Sequence, residues 1–216
     1  DADKDYDLSK LELSKITSGA TQIGDGTSGS ITVDNVSAAD SDGISGMLTL
    51  DATGNSSNIG FETVASVFNS LTAKADDGIN LSVDLTTDTG DMVLEADNDN
   101  AIDTNDKISL SGARTLTSAG DLTLDATSNI GIESNSTLVL SSVGDLSIND
   151  NLTTNGVTTI NADSDDNGSG SLTLASLMTL DTQNSDATIT ATDIVLDGSL
   201  DTGTGGLNLL VSDGGT

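Results

Sequence analysis

The stretch Gly120-Asp121-Leu122-Thr123-Leu124-Asp125-Ala126 sets a pattern of one glycine, one spacer and apolar residues two positions apart. Gly46-Met47-Leu48-Thr49-Leu50-Asp51-Ala52 repeats this pattern almost letter for letter. An alternation with a period of two places every second side chain on one face, which is typical of a half-buried β-strand. The same frame recurs at Gly29-Ser30-Ile31-Thr32-Val33, Gly90-Asp91-Met92-Val93-Leu94, Gly144-Asp145-Leu146-Ser147-Ile148, Gly170-Ser171-Leu172-Thr173-Leu174 and Gly205-Gly206-Leu207-Asn208-Leu209.

Further short strands lie between these markers, so that in the middle of the chain one strand follows another about every eight to ten residues. The residues that separate them are Asn, Asp, Ser and Gly, which form turns through side-chain hydrogen bonds and positive φ angles. These additional predicted strands are Ile108-Ser109-Leu110, Ile130-Gly131-Ile132, Leu138-Val139-Leu140, the strand around Ile189, and Ile194-Val195-Leu196.

The repeated unit favours a coil of stacked turns over a β-sandwich or a barrel. Units that recur every few tens of residues are typical of solenoids, in which each turn contacts only its neighbours. The strands are short, large side chains are almost missing from the alternating positions, and the chain has no proline. We therefore predict an all-β chain folded as a parallel β-helix, with an immunoglobulin-like sandwich as the alternative.

The marker glycines are separated by 17, 44, 30, 24, 26 and 35 residues. This uneven spacing excludes tight hexapeptide coils and suits turns of about 20 residues with loops of variable length on one side. The sequence predicts roughly ten irregular rungs, which at a strand spacing of ~4.8 Å give a rod about 50 Å long. We assign residues 20–216 to this β-helix domain and residues 1–19 to an N-terminal capping or linking segment.

One stretch departs from the alternation. Val64, Val67, Phe68 and Leu71 fit a 3.6-residue stripe better than a period of two. This stretch therefore predicts an excursion from the coil or a helical turn.

Segments such as Gly120–Ser134 and Ile194–Gly215 resemble the repeat regions of filamentous-haemagglutinin-type surface proteins. The resemblance is one of pattern and composition, and it covers most of residues 20–216. It implies a right-handed parallel β-helix in a large secreted bacterial adhesin. It also implies an extracellular stalk at the bacterial cell surface, with a role in attachment or in a matrix.

The composition excludes several classes of function. The chain has 35 acidic and 6 basic residues, a formal net charge of -29, and neither His nor Cys. Without His and Cys there is no Ser-His-Asp triad, thiol nucleophile, zinc finger or haem ligation. The negative charge repels nucleic acid, and no apolar run is long enough to span a membrane. Leu, Ile, Val and Phe make up about a quarter of the residues, which is enough to build a core.

One motif predicts a metal site. Asp163-Ser164-Asp165-Asp166-Asn167-Gly168 has the form of the first half of a calcium loop, with Asp163, Asp165 and Asn167 as candidate ligands. The twelfth position is Leu174, where an EF-hand has a bidentate Glu, so a true EF-hand is excluded. The alternative interpretation is an Asp/Asn/Gly-rich turn between two strands. Calcium is the one cofactor that the sequence suggests.

Two other acidic loops are interpreted as solvated turns. One comprises Asp97-Asn98-Asp99-Asn100 with Asp103 and Asp106, and the other is Asp76-Asp77-Gly78. In a stacked coil, however, carboxylates one rung apart repel each other by about 1 kcal/mol even in water. We therefore expect calcium to stabilise the fold.

Catalysis is not expected. Parallel β-helices also occur in polysaccharide lyases and glycosidases, but lyases that act on acidic sugars need cationic groups, and Arg114 is the sole arginine. Sugar-processing clefts use aromatic platforms, for which the chain offers only Tyr6, Phe61 and Phe68.

The sequence thus predicts a non-enzymatic extracellular rod of a bacterial surface adhesin, sheath or matrix filament, with self-association or other surface-matrix proteins as partners. Leu207–Thr216 has the pattern of a repeat followed by a turn without a cap, so either further turns follow or copies stack end to end, with residues 1–16 pairing to a neighbour. The alternative is a calcium-dependent glycan- or cell-envelope-binding module that uses loops 51–60 and 161–170. A polysaccharide-degrading enzyme is the third interpretation.

Overall fold

The structure, a computed structural model, describes residues 6–101, 105–126 and 131–213. Three parallel β-sheets wind into a right-handed β-solenoid of about eight turns. The predicted all-β parallel coil is therefore confirmed. Its turns are somewhat fewer than the ten that the glycine spacing predicts.

The strands are numbered in chain order, and each sheet collects one strand per turn. Sheet 1 contains, within the described residues, β1 (Tyr6–Ser9), β3 (Ile31–Asp34), β5 (Ile59–Glu62), β8 (Ile79–Leu81), β11 (Lys107–Leu110), β14 (Gly131–Ser134), β17 (Leu152–Thr154), β20 (Thr179–Asp181) and β23 (Ser199–Asp201). Sheet 2 contains β2 (Thr21–Gly24), β4 (Met47–Ala52), β7 (Ser70–Ala75), β10 (Met92–Glu95), β13 (Leu122–Asp125), β16 (Leu146–Ile148), β19 (Ser171–Leu174) and β22 (Asp193–Leu196). Sheet 3 contains β6 (Ser66–Phe68), β9 (Leu85–Thr87), β12 (Arg114–Ser118), β15 (Leu138–Ser142), β18 (Thr158–Ala162), β21 (Ala187–Ala191) and β24 (Leu207–Val211).

In a complete turn the chain passes from sheet 1 to sheet 3 and then to sheet 2 before it returns to sheet 1. Equivalent residues of sheet 2 are 21 positions apart between Leu71 and Met92, and 30 apart between Met92 and Leu122. This variation lies in the corners. The corner from sheet 2 to sheet 1 is eleven residues long at positions 96–106 and two residues long at positions 197–198.

Columns of like side chains fill the inside of the coil, because parallel strands in register place every second residue above its equivalent in the turn before. In sheet 2 these residues are almost completely buried. One column consists of Leu48, Leu71, Met92, Leu122, Leu146 and Leu172, and the next consists of Leu50, Ala73, Leu94, Leu124, Ile148 and Leu174.

Two short helices occupy the position of sheet 3 in the first turns. α1 (Lys10–Leu13) packs on α2 (Ala38–Ser41), which in turn packs on β6. The Ser41 hydroxyl donates to the Val67 carbonyl at 2.9 Å, and the Val67 N–H donates to the Val36 carbonyl at 2.8 Å. The helices therefore cover the N-terminal edge of sheet 3.

The segment 1–19 that the sequence assigns to a cap contributes β1 to sheet 1 and α1 to this helical stack. Residues 1–5 of it lie outside the described residues. The proposed domain boundary at residue 20 stays a prediction.

The excursion or helical turn predicted from Val64, Val67, Phe68 and Leu71 is wrong, because the chain forms β6 and β7 there. Phe68 and Leu71 are both buried, but they belong to different sheets and are separated by the corner at Asn69. A one-residue corner shifts the alternation by one position, and this shift imitates the spacing of a helix.

The other strands predicted between the markers are present as β11, β14, β15, β21 and β22, although Ile130 lies outside the described residues. Among the described helices, none is long and apolar enough to cross a membrane.

Candidate functional site

The three candidate calcium ligands lie in the corner at positions 163–170, which joins β18 of sheet 3 to β19 of sheet 2. Asp163 is buried, whereas Asp165 and Asn167 are exposed. Three positions with positive φ, Asp166, Gly168 and Gly170, allow the tight turn. The Asn167 side-chain amide donates to Asp165 Oδ2 at 2.8 Å. The three predicted residues therefore lie in one loop, but Asp163 is buried while the other two side chains are exposed.

Protein donors use most of the acceptor capacity of Asp163. The backbone N–H of Asn167 donates to Oδ1 at 3.0 Å, and that of Gly168 donates to Oδ2 at 3.0 Å. The hydroxyl groups of Ser212 and Thr192 lie 2.6 and 3.2 Å from Oδ2. A carboxylate has about four lone-pair sites. Calcium binding at this loop stays a prediction.

These bonds tie the loop to the last strand of the coil. The Ser212 hydroxyl lowers the pKa of Asp163 because it bonds to the ionised carboxylate, while burial acts in the opposite direction. The same hydroxyl lies 2.9 Å from Asp166 Oδ1. Ser212 directly follows β24, so its hydrogen bond to Asp163 connects this strand to the loop at positions 163–170, two turns away.

Replacing Ser212 with Ala is expected to loosen β24, because a hydrogen bond to a charged acceptor contributes about 1.5–3 kcal/mol when buried. Amide hydrogen exchange of β24 measures this loss directly, since it reports local opening. Ser199→Ala is the matched control: Ser199 is exposed on β23 and bonds to Thr179 rather than to Asp163. Equal exchange rates of β24 in the two variants would contradict the assignment.

A second acidic group lies at the corner between sheets 2 and 1, where the sequence predicts solvated turns. The structure corrects this for three side chains: Asp76, Asp97 and Asp106 are 3 %, 1 % and 0 % exposed. The corner folds them inward, since Asn98 N–H donates to the Ala75 carbonyl and thereby sets Asp97 against Asp76 of the preceding turn. Asp99 is exposed, as predicted, and Asp103 lies outside the described residues.

The surroundings of Asp97 disfavour its ionised form. Burial and, to a lesser degree, the charge of Asp106 raise its pKa to about 6, although a hydrogen bond from the Asn100 backbone opposes them. Smaller contributions come from Asp99 and Asp76. No sequence signal marks Asp97 among the 31 Asp residues of the chain, because its burial depends on how the corner closes.

A ladder of aspartates explains the Gly-Asp part of the repeat. The carboxylate of Asp91 accepts the Asp121 N–H at 2.9 Å, that of Asp121 accepts the Asp145 N–H at 2.9 Å, and that of Asp145 accepts the Ser171 N–H at 2.8 Å. A Cβ atom at Gly144 would lie 2.2 Å from Asp121 Oδ1. Gly120 and Gly144 therefore leave room for the carboxylates of Asp91 and Asp121 in the turn before.

Up to Asp213, the last described residue, the C-terminal end of the coil is open. β22, β23 and β24 are the last strands of their sheets within the described residues, so one edge of each has no neighbouring strand. Leu209 is in register with the fully buried Ile189, yet it is 49 % exposed. A groove of about 220 Å³ lies between β22 and β24. The exposed apolar residues at this end are Leu196, Leu207, Leu209, Leu210 and Val211.

The predicted lack of a cap over Leu207–Thr216 stays a prediction, since the described residues end at Asp213. The end combines unpaired strand edges with apolar side chains, which is the surface that a further turn of the same kind would cover. Comparison of the chain with protein-family models, with curated proteins and with solved structures gives no match.

Proposed function

We propose that the chain is a non-enzymatic structural rod of an extracellular bacterial surface adhesin, sheath or matrix filament, and that copies associate end to end. The open C-terminal end is the observation that carries this proposal. Three strand edges and a set of exposed apolar side chains lie there. One further parallel turn would pair the strand edges and bury the apolar side chains. The extracellular, bacterial setting rests on the resemblance of the repeats to haemagglutinin-type stalks.

The N-terminal end of a second copy offers a partial complement. Sheets 1 and 2 begin with β1 and β2, whose outer edges are also unpaired within the described residues. In a head-to-tail contact β23 would pair with β1 and β22 with β2, while β24 would meet α1, which carries the 68 % exposed Leu11. Such a contact is heterologous, and repetition of it builds a filament.

The acidic surface sets the conditions for this association. With a formal charge of -29 on each copy, long-range repulsion opposes contact at low ionic strength. Salt screens charges that are separated by more than the Debye length, which is about 8–10 Å at physiological ionic strength. The association should therefore strengthen as salt is added, unlike an association held by ion pairs.

Sedimentation velocity across a wide range of protein and salt concentrations tests the proposal. We expect species larger than the monomer to grow with both concentrations. Leu209→Lys should weaken this association strongly, because it places a charge among the apolar residues of the open end. Leu177→Lys is the matched control, since Leu177 is 92 % exposed in the corner between β19 and β20. A folded wild-type chain that stays monomeric throughout would overturn the end-to-end role.

A further inference from the structure

The acidic corner of Asp76, Asp97 and Asp106 contains a buried carboxylate oxygen that lacks a donor. Asp97 is 1 % exposed, and its Oδ1 receives no hydrogen bond in the part of the chain that the structure describes. A hydrogen bond from the Asn100 backbone lowers the pKa of Asp97, whereas the neighbouring carboxylates raise it. In contrast, Asp76 Oδ2 accepts the Ser56 N–H at 2.6 Å. The absence of a donor to Asp97 Oδ1 therefore needs an explanation.

An ionised carboxylate oxygen that is buried without a donor is costly, so native proteins supply a donor, a proton or a cation. The lysines nearest in sequence do not fill this role. Lys74 bonds to Glu95 at 3.4 Å and Lys107 bonds to Glu133 at 2.7 Å, both across neighbouring turns. Their side chains alternate with the inward-facing residues of their strands and lie on the outer face of the coil.

We propose that the acidic corner binds a hard divalent cation, Ca²⁺ or Mg²⁺, with Asp97 Oδ1 and the carboxylate of Asp106 as its charged ligands. Both ions prefer oxygen ligands, and Mg²⁺ in particular is commonly held by one or two carboxylates. Within the described ranges no three acidic side chains converge as a ready-made metal cage. The described part of the chain thus supplies two carboxylates, and neutral oxygens, such as those of backbone or water, complete the coordination.

This site is distinct from the Asp163 loop and has a different electrostatic character. Protein donors already bond to the Asp163 carboxylate, and its pKa is lowered. At Asp97 the pKa is raised, because burial and the charge of Asp106 both disfavour ionisation. A bound divalent charge reverses both effects, since a metal ion is the largest local charge in such a site.

Thermal unfolding in chelator, in Ca²⁺ and in Mg²⁺ tests the proposal, with three variants beside the wild type. For the wild type we expect Tm to rise by several degrees with one of the two ions, because an ion that binds only the folded chain stabilises it. Asp97→Asn should lose most of this rise. In chelator it should unfold at a higher temperature than the wild type, because it removes the buried charge. Asp106→Asn should also lose the rise.

Asp88→Asn is the matched control, since it removes one carboxylate from an exposed position in the same turn. It should keep the full ion-dependent rise in Tm. Titration calorimetry on the wild type should then find one site that Asp97→Asn abolishes, and the ion that gives the larger shift identifies the preferred metal.

Three outcomes would overturn the site. The first is a wild-type Tm that neither ion changes. The second is an Asp97→Asn variant that keeps the full rise in Tm, which would place the ion elsewhere. The third is a wild type that is stabilised by mild acid but not by metal, which would mean that Asp97 holds a proton. Should the Asn variants fail to fold, calorimetry of the wild type alone decides, and no heat of binding with either ion refutes the proposal.

Discussion

Replacing Gly170 with Ala is expected to lower the free energy of unfolding by about 2–5 kcal/mol, through backbone strain and overpacking together. Gly170 has a φ of +142°, a conformation that residues with a side chain rarely adopt. A Cβ atom there would lie 2.0 Å from the carbonyl oxygen of Ala162 and 3.0 Å from that of Gly144. Both contacts are with backbone, so rotation of a side chain cannot relieve them.

Gly19→Ala is the matched control for this variant. A Cβ atom at Gly19 would meet no heavy atom within 4 Å, and its φ is not in the left-handed region. The midpoint of urea unfolding of Gly19→Ala should be unchanged or slightly raised, since Ala restricts the unfolded chain more than Gly does. If the two variants unfold at the same urea concentration, the close backbone approach at Gly170 is incorrect.

Leu124→Ala is expected to cost about 2–5 kcal/mol, as large-to-small changes in a packed interior do. Leu124 is fully buried and stands in register between Leu94 of the preceding turn and Ile148 of the next. In a narrow coil each turn packs on two neighbours, so the cavity lies against both of them. The measurement is again the midpoint and slope of urea unfolding.

Thr123→Ala, one position earlier on β13, should change the free energy of unfolding by no more than about 0.5 kcal/mol, because it alters an outward-facing side chain. The pair of variants tests the register itself. A slip by one residue would exchange the two faces of the strand. A larger loss for Thr123→Ala than for Leu124→Ala would therefore contradict the structure.

The parallel coil could be predicted from the sequence because its two determinants are local. Alternating residues such as Leu122 and Leu124 reveal a half-buried strand, and the recurrence of Gly-x-apolar-x-apolar reveals stacking. The glycines at 46, 90, 120, 144 and 170 all precede strands of sheet 2. Those at 29 and 205 precede strands of sheets 1 and 3, so their intervals are not whole turns.

The number of turns was harder to predict for the same reason. The turn that contains β7 has Asn69 at the position of the marker glycine, which leaves the interval of 44 residues between Gly46 and Gly90. The two first turns lack a described strand of sheet 3 and contain α1 and α2 in its place. Four-residue helices are too short to give a periodic signal.

The site could be predicted only in part. Asp163, Asp165 and Asn167 are indeed in one loop, but the role of Asp163 as an acceptor for Ser212 depends on a contact between residues 49 positions apart. The burial of Asp97 likewise depends on the neighbouring turn. Sequence spacing describes what lies along a strand, whereas these side chains are defined by what lies across the turns.

The corners of unequal length have a consequence for how such a chain can change. The corner between sheets 2 and 1 varies from two to eleven residues while the strands on either side keep their register. Insertions and deletions at this position leave the cross-section of the molecule intact. A foreign peptide grafted there would be displayed on one flank at intervals fixed by the rise of the coil, so the scaffold is suited to arraying epitopes along a line.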